Sequence, residues 1–155
     1  MQALVSPNQT RDLERTIPER FIAWGLLGRV IWKIIRPTEW QAYHTSVERQ
    51  VHARGVVPES VWRTPELAAI AKRIETILAE NCWGKPLSFH PDDPWLVVGE
   101  WEIGDLSELG AYYCICKEFG LPRGKEYFMK NFAERIALGM TFGELVTFIG
   151  ESGTR

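Results

Sequence analysis

Residues 141–149 read Thr-Phe-Gly-Glu-Leu-Val-Thr-Phe-Ile and close the stretch that decides the fold, residues 89–149. Thr141 followed three residues later by Glu144 is a capping-box pattern, in which two side chains satisfy free backbone N–H groups at a helix start. The apolar residues recur at helical spacing, namely Phe142, Leu145, Val146 and Ile149. They predict a short helix that packs one face into a core, followed by a frayed tail over residues 150–155.

Two further helices are predicted upstream within this stretch. The first begins at Gly104 or Asp105 and ends at Gly120, because glycine tolerates the left-handed conformation found just after a helix. Its expected apolar face comprises Leu106, Leu109, Tyr113, Cys116 and Phe119. The second covers residues 126–138, with Tyr127, Phe128, Phe132 and Ile136 facing inward. A proline-rich loop precedes both helices and leads into residues 96–98, which favour a short extended piece.

The helix with the clearest start signals opens at Thr64-Pro65-Glu66. Threonine is a good N-cap, proline fits the first helical position, and an acid in the first turn complements the helix dipole. The expected buried face comprises Leu67, Ile70, Ile74, Ile77 and Leu78. Asn81 and Gly84 are expected to end the helix.

The preceding region also has helical spacing, so the chain is predicted to be all-α. The apolar positions of residues 38–54 are Trp40, Tyr43, His44, Val47 and Val51, and Gly55 ends the pattern. Residues 56–63 contain Pro58 and are the best candidate for a domain boundary. The predicted parts are a flexible lead-in over residues 1–16, an N-terminal helical extension over 17–63, and a helical bundle over 64–150.

The composition limits the classes of function. The 155 residues carry a net charge of −2, whereas a general nucleic-acid binder needs a basic face, so no nucleic-acid partner is expected. Three cysteines and no secretory signal favour reduced thiols and a cytoplasmic location. Cys114 and Cys116 would point about 200° apart on one helix, which favours buried apolar residues over metal ligands.

Residues 21–36 combine an apolar stripe at helical spacing with basic residues away from that stripe. The segment is too short and too charged to span a bilayer, which needs about 20 mostly apolar residues. One interpretation is a helix that packs on its own protein. The other is a basic amphipathic helix on an anionic membrane, which would make the chain a peripheral membrane protein. Its membrane-binding residues would be Trp24, Arg29, Trp32, Lys33 and Arg36.

The order of motifs in residues 65–149 resembles the acyl carrier protein family. An amphipathic helix and a long loop precede a helix that opens with Gly-Asp-Leu at residues 104–106 and ends with Glu-Phe-Gly at residues 118–120. The last helix begins Thr-Phe-Gly-Glu-Leu-Val, which is similar to the Thr-Val-Gly-Asp-Leu-Val of carriers. The resemblance implies an acyl-carrier-like helical bundle.

The chain departs from this family at the residue through which carriers act. Carriers attach phosphopantetheine to a serine in Asp-Ser-Leu at the start of the second helix, and the matching position here is Asp105. A carboxylate cannot take this group, so no cofactor is expected. Ser107, two positions further on, is the fallback for a true acyl carrier. We expect a carrier-like domain without the arm, acting as a non-catalytic module that binds another protein.

Few residues suggest chemistry, and no catalytic residue is predicted. His-Pro-Asp-Asp at residues 90–93 could indicate a metal or acid–base site, but aspartates that cap turns explain this loop better. Neither a metal site nor enzymatic activity is therefore expected. The acidic residues near the second helix match the face with which carriers dock basic partners, although a solvated acidic face is the alternative. The expected partner-binding residues are Asp92, Asp93, Glu102, Asp105 and Glu108.

Overall fold

A computed structural model describes residues 2–7, 39–99, 107–122, 127, 132 and 134–152. Within these ranges most residues are helical and no strand occurs, which confirms the all-α prediction. The helices are α1 (Glu39–Arg54), α2 (Pro65–Leu78), α3 (Trp95–Val98), α4 (Ser107–Glu118), α5 (Glu134–Ala137) and α6 (Phe142–Ser152). A 3-10 turn covers Glu59–Val61, and a π-helical segment, Ala79–Trp83, extends α2.

Helix α2 begins where its sequence signals predict, and it ends at Leu78, before the predicted Asn81 and Gly84. The Thr64 hydroxyl accepts a hydrogen bond from the backbone N–H of Leu67 at 3.3 Å, and Pro65 occupies the first turn. The buried side chains of α2 are Ala71, Ile74, Ile77 and Leu78, while Leu67 and Ile70 are half-buried. The π-helical segment ends at Gly84, whose φ of 66° is accessible to glycine at little cost.

The capping box that starts α6 is confirmed. The backbone N–H of Thr141 donates to Glu144 Oε2 at 2.8 Å, and the N–H of Glu144 donates to Thr141 Oγ1 at 3.2 Å. All four predicted core residues are buried: Phe142, Leu145, Val146 and Ile149. The helix continues to Ser152, so the predicted fraying is wrong for residues 150–152.

The proline-rich loop before α3 lies against the start of α6. The backbone N–H of Phe142 donates to the Asp93 carbonyl, and that of Gly143 donates to the Pro91 carbonyl, both at 2.8 Å. Because these loop carbonyls accept from the first turn of α6, they satisfy helix N–H groups that lack partners within the helix. Gly143 allows the approach, since a Cβ at this position would lie 2.8 Å from Pro91 Cβ.

Two local predictions about the next elements are wrong. Residues 96–98 are not extended but belong to the helical turn α3, whose Trp95, Val97 and Val98 are buried. In α4 the side chain of Tyr113 is 49% exposed instead of buried. Several neighbouring positions of α4 are apolar, so spacing alone does not fix its buried face. The buried residues of α4 are Ala111, Tyr112, Ile115 and Cys116, with the Tyr112 ring 5.5 Å from that of Phe132.

The segments before the predicted domain boundary share the core of the bundle. Tyr43, Val47 and Val51 of α1 belong to the same buried cluster as the apolar residues of α2 and α6. Residues 2–7 do not behave as the predicted flexible lead-in, because Leu4 is only 4% exposed and joins this cluster. The described part of the extension is therefore packed on the bundle through a common core.

A buried ion pair fixes α1 to the loop before α3. The guanidinium of Arg54 contacts both carboxylate oxygens of Asp93, with Nη1 to Oδ1 at 2.6 Å and Nη2 to Oδ2 at 2.5 Å. The two side chains are 7% and 0% exposed. Asp93 also accepts the backbone N–H groups of Leu4 at 2.9 Å and His90 at 2.7 Å. A buried carboxylate with this many partners is well compensated for its loss of water.

We predict that Arg54→Met strongly destabilises the fold, because it leaves the Asp93 carboxylate buried without its counter-charge. The free energy of unfolding should fall by about 3–5 kcal/mol, measured by urea denaturation. Arg73→Met is the matched control, since Arg73 pairs with Glu118 at 2.6 Å but the side chains are 52% and 37% exposed. The control should change stability far less. Equal losses for the two variants would contradict a structural role for the buried pair.

We further predict opposite effects for two glycine substitutions in α6. Gly143→Ala should destabilise by about 1–3 kcal/mol, because the new Cβ meets Pro91 Cβ at 2.8 Å and the Pro91 carbonyl oxygen at 2.9 Å. Gly150→Ala should be neutral or stabilising by up to about 1 kcal/mol, because its nearest neighbour is the movable end of Leu67 at 3.1 Å. Thermal unfolding of both variants tests this, and a stable Gly143→Ala protein would contradict the close approach of the loop.

Candidate functional site

The structure removes one residue from the predicted acidic partner surface. Asp93 is 0% exposed and engaged with Arg54, so its assignment as a partner-binding residue is wrong. Asp92, the next residue, is 75% exposed and remains available. Glu102 and Asp105 lie outside the described residues, as does the side chain of Glu108 in the first turn of α4. A docking face formed by these acids stays a prediction.

The residues of the two alternative functions also fall outside the described part. The membrane-binding candidates are Trp24, Arg29, Trp32, Lys33 and Arg36, and all precede the described start of α1. Ser107, the fallback attachment residue for a true carrier, begins α4 but its side chain is not described. Among the helices that the structure describes, none combines the length and apolar character needed to cross a membrane.

The loop at residues 90–93 is built as a turn. Asp93 Oδ2 accepts the backbone N–H of His90 at 2.7 Å, and the His90 carbonyl accepts the N–H of Asp93 at 2.9 Å. The N–H of Asp92 donates to His90 Nδ1 at 3.2 Å. In these contacts the side chains of aspartate and histidine accept nearby backbone N–H groups and close a turn. Across the described ranges, no three His, Cys, Asp or Glu side chains come together as metal ligands.

The three cysteines, all among the described residues, form no disulfide and lie in or beside the helical core. Cys116 has no exposure and Cys82 is 8% exposed, in keeping with small apolar residues. Cys114 is half-buried and lies 3.6 Å from Asn81 Oδ1, so it is less buried than the sequence predicted. Reactive cysteines lie in partly exposed sites, whereas Cys82 and Cys116 are buried.

A cleft of about 300 Å³ lies between α2 and the segment that precedes it. Its walls are mostly apolar, and the side chain of Val56 beside it is 85% exposed. The lining residues are Val56, Val57, Pro58, Glu59, Trp62, Ala68, Ala71, Lys72, Glu75, Ser88 and Phe89. A concave apolar surface with a few polar groups is the usual form of a binding site.

The distinctive polar group of this cleft is Glu75. Its Oε1 accepts the backbone N–H of Phe89 at 2.7 Å. Burial raises the pKa of the Glu75 carboxyl above its ordinary value of 4.5, and this effect outweighs the lowering by hydrogen bonds from Phe89 and Ser88 and by the nearby charges of Arg54 and Lys72. A carboxylate held in an apolar cleft with a perturbed pKa is a candidate functional group.

The sequence analysis did not single out Glu75, although a signal existed. Glu75 lies four residues after Ala71 and three before Leu78, and both of these positions are buried. Residues at these spacings share one side of a helix, so a carboxylate among them must be either paired or placed at a cleft. The sequence alone does not show that residues 56–62 lie across α2 and form the second wall of the cleft.

We predict that Glu75 makes stability depend on pH in a defined direction. The pKa of Glu75 is raised in the folded chain, so the folded state keeps this proton to higher pH than the unfolded state does. The free energy of unfolding should therefore fall as the pH rises from the pKa of the unfolded chain through the pKa of the folded chain. Glu75→Gln has no proton to lose. The stability of Glu75→Gln relative to the wild type should therefore rise from about pH 4 to about pH 8 in urea denaturation.

Glu80→Gln is the control, because it removes an exposed carboxylate from the π-helical segment after α2. Its stability relative to the wild type should not change in the same way. A flat difference between Glu75→Gln and the wild type across this pH range would contradict a desolvated Glu75.

Comparisons with protein-family models, with curated proteins and with solved structures find no match to this chain. The acyl-carrier-like fold and the functions that it implies therefore stay predictions. A function has to rest on the geometry of the chain's own residues.

Proposed function

We propose that this chain is a non-catalytic protein-interaction module that binds a basic, partly apolar segment of another protein in the Glu75 cleft. The observation that carries the proposal is a desolvated carboxylate in a cleft with apolar walls. The cation of a partner side chain would restore the interactions that Glu75 loses by leaving water.

The shape of the cleft fits side chains better than a large ligand. A volume of about 300 Å³ is at the lower end for small-molecule sites and accommodates one or two side chains. Trp62 provides partly exposed aromatic surface, and the small side chain of Ala68 leaves space along α2. A lysine or arginine packs its apolar stem on such walls while its charged end reaches a carboxylate.

The charges of the cleft favour a cationic guest. Two carboxylates, Glu59 and Glu75, line it together with one ammonium, that of Lys72. Lys72 is exposed on α2, so its flexible stem can turn toward solvent when a second cation enters. The expected specificity is electrostatic at Glu75 and apolar along the walls, which is the common division of roles in protein interfaces.

The proposed interaction module has a carrier-like scaffold without the prosthetic arm. Carriers present an acidic face to basic partners, and a preference for basic segments would be shared by a related scaffold. Asp92 contributes an exposed carboxylate on the loop before α3. In this proposal the cleft provides the anchor, and the predicted acidic docking face would extend the contact with the same basic partner.

The test is selection of random dodecapeptides, displayed on phage, against the immobilised full chain. Enriched peptides should carry lysine or arginine beside large apolar residues. Glu75→Gln should weaken their binding about tenfold or more, because a charge-assisted hydrogen bond is lost, whereas Glu80→Gln should not. Isothermal titration calorimetry with the synthesised peptides provides the measurement.

A second pair of variants tests the position of the site. Ala68 lines the cleft, and the adjacent Ala69 is exposed and does not. Ala68→Phe should fill the cleft and abolish peptide binding, while Ala69→Phe should leave it unchanged. The proposal would be overturned if no peptide were enriched. It would also be overturned if the enriched peptides bound Glu75→Gln and Ala68→Phe as tightly as the wild type.

A further inference from the structure

Residues 2–7, here named the strap, contact the bundle in the manner of a bound peptide. The side-chain amide of Gln50 pairs with both backbone groups of Val5: the Val5 N–H donates to Oε1 at 2.8 Å, and Nε2 donates to the Val5 carbonyl at 3.0 Å. The backbone N–H of Leu4 donates to Asp93 Oδ1 at 2.9 Å. These contacts recognise an extended main chain and are independent of side-chain identity at Val5.

Two residues of the strap are buried, Leu4 and the small polar Ser6, and Leu4 is its apolar anchor. Leu4 is 4% exposed and belongs to the buried cluster, whereas the following Val5 is 38% exposed. An apolar anchor combined with hydrogen bonds to successive backbone groups is a general mode of peptide recognition. The site that receives the strap comprises Gln50, Asp93 and the pocket of Leu4, and it is referred to below as the strap site.

We propose that the strap is exchangeable and that the strap site is a second peptide-binding site, specific for an extended segment with leucine at the anchor position. The occupant in this structure is the chain's own residues 2–7. This inference is independent of the function proposed for the Glu75 cleft.

The bundle can lose the strap without leaving a buried charge unpaired. Asp93 retains both contacts with the Arg54 guanidinium and the N–H of His90 when the N–H of Leu4 departs. Gln50 is half-buried at the surface, so water can replace the Val5 backbone as the hydrogen-bond partner of its amide when the strap leaves. Local opening of this kind requires less free energy than unfolding of the whole domain.

The contacts also define the partner. An N–H is required at the positions of Leu4 and Val5, so proline is excluded at both. The residue after the anchor is free to vary, because Val5 is partly exposed. A competing segment must overcome the effective concentration of the strap, which belongs to the same chain.

The test uses the full chain with Leu4→Asp, which should expel the strap because its carboxylate would be buried near Asp93. The probe is Gln-Ala-Leu-Val-Ser-Pro-amide, the sequence of residues 2–7, with fluorescein attached to its N-terminal amine. Leu4→Asp should bind this peptide at least about tenfold more tightly than the wild type, measured by fluorescence anisotropy. Val5→Asp, which alters a partly exposed side chain, should behave like the wild type.

A matched peptide tests the backbone contact. N-methylation of its valine removes the N–H that Gln50 accepts and should weaken binding to Leu4→Asp by about tenfold. A folded Leu4→Asp protein that fails to bind the unmodified peptide would overturn the proposal. An unfolded Leu4→Asp protein would also overturn it, because the fold would then require the strap.

Hydrogen exchange of the unaltered chain gives an independent measure. The amides of Leu4 and Val5 should exchange at least about 100-fold faster than that of Val146 in the core of α6, as read by NMR. Equal rates would show that the strap leaves only when the whole domain unfolds, and the strap would then be a fixed part of the core.

Discussion

Arg54 and Asp93 form the contact on which the other parts of the described structure depend. The Asp93 side chain receives the guanidinium of Arg54 and the backbone N–H groups of Leu4 and His90, while its carbonyl accepts the N–H of Phe142. One residue thus joins α1, the strap, the loop before α3 and the start of α6. A buried carboxylate is stable only with its partners in place. The helix before the predicted boundary is therefore integral to the core.

The features that the sequence predicts best are those decided within a few residues. The capping box of Thr141 and Glu144 needs only the first turn of α6, and the Thr64 cap needs only the first turn of α2. The helix ends at Gly55 and Gly120 are also decided locally. Each glycine follows a run of apolar residues at helical spacing and has the positive φ that is common just after a helix. Apolar spacing also gave the buried face of α6 correctly, since its polar residues leave one clear stripe.

The wrong predictions concern residues whose role is set by distant parts of the chain. Asp93 was expected at the surface because aspartate usually is, but Arg54 lies 39 residues earlier and makes burial possible. Tyr112 and Tyr113 are neighbours of the same residue type, and Tyr112 is the one that packs against the ring of Phe132. The Glu75 cleft depends on the segment crossing α2. No local pattern contains these tertiary contacts, so periodicity could predict the helices but not the candidate site.

The strap site and the Glu75 cleft both border on Arg54, which raises the question of whether they act together. Arg54 donates to Asp93, the acceptor of the strap, and to the carbonyl of Ser88, which lines the cleft, at 3.0 Å. Its charge also opposes the rise that burial causes in the pKa of Glu75, although burial outweighs it. Coupling between two sites requires an element that changes its arrangement when either is occupied. The bidentate contact with Asp93 opposes any such change, because a guanidinium held by two short hydrogen bonds cannot follow a guest in the cleft without depriving a buried carboxylate of its counter-charge. The two sites should therefore bind their peptides almost independently.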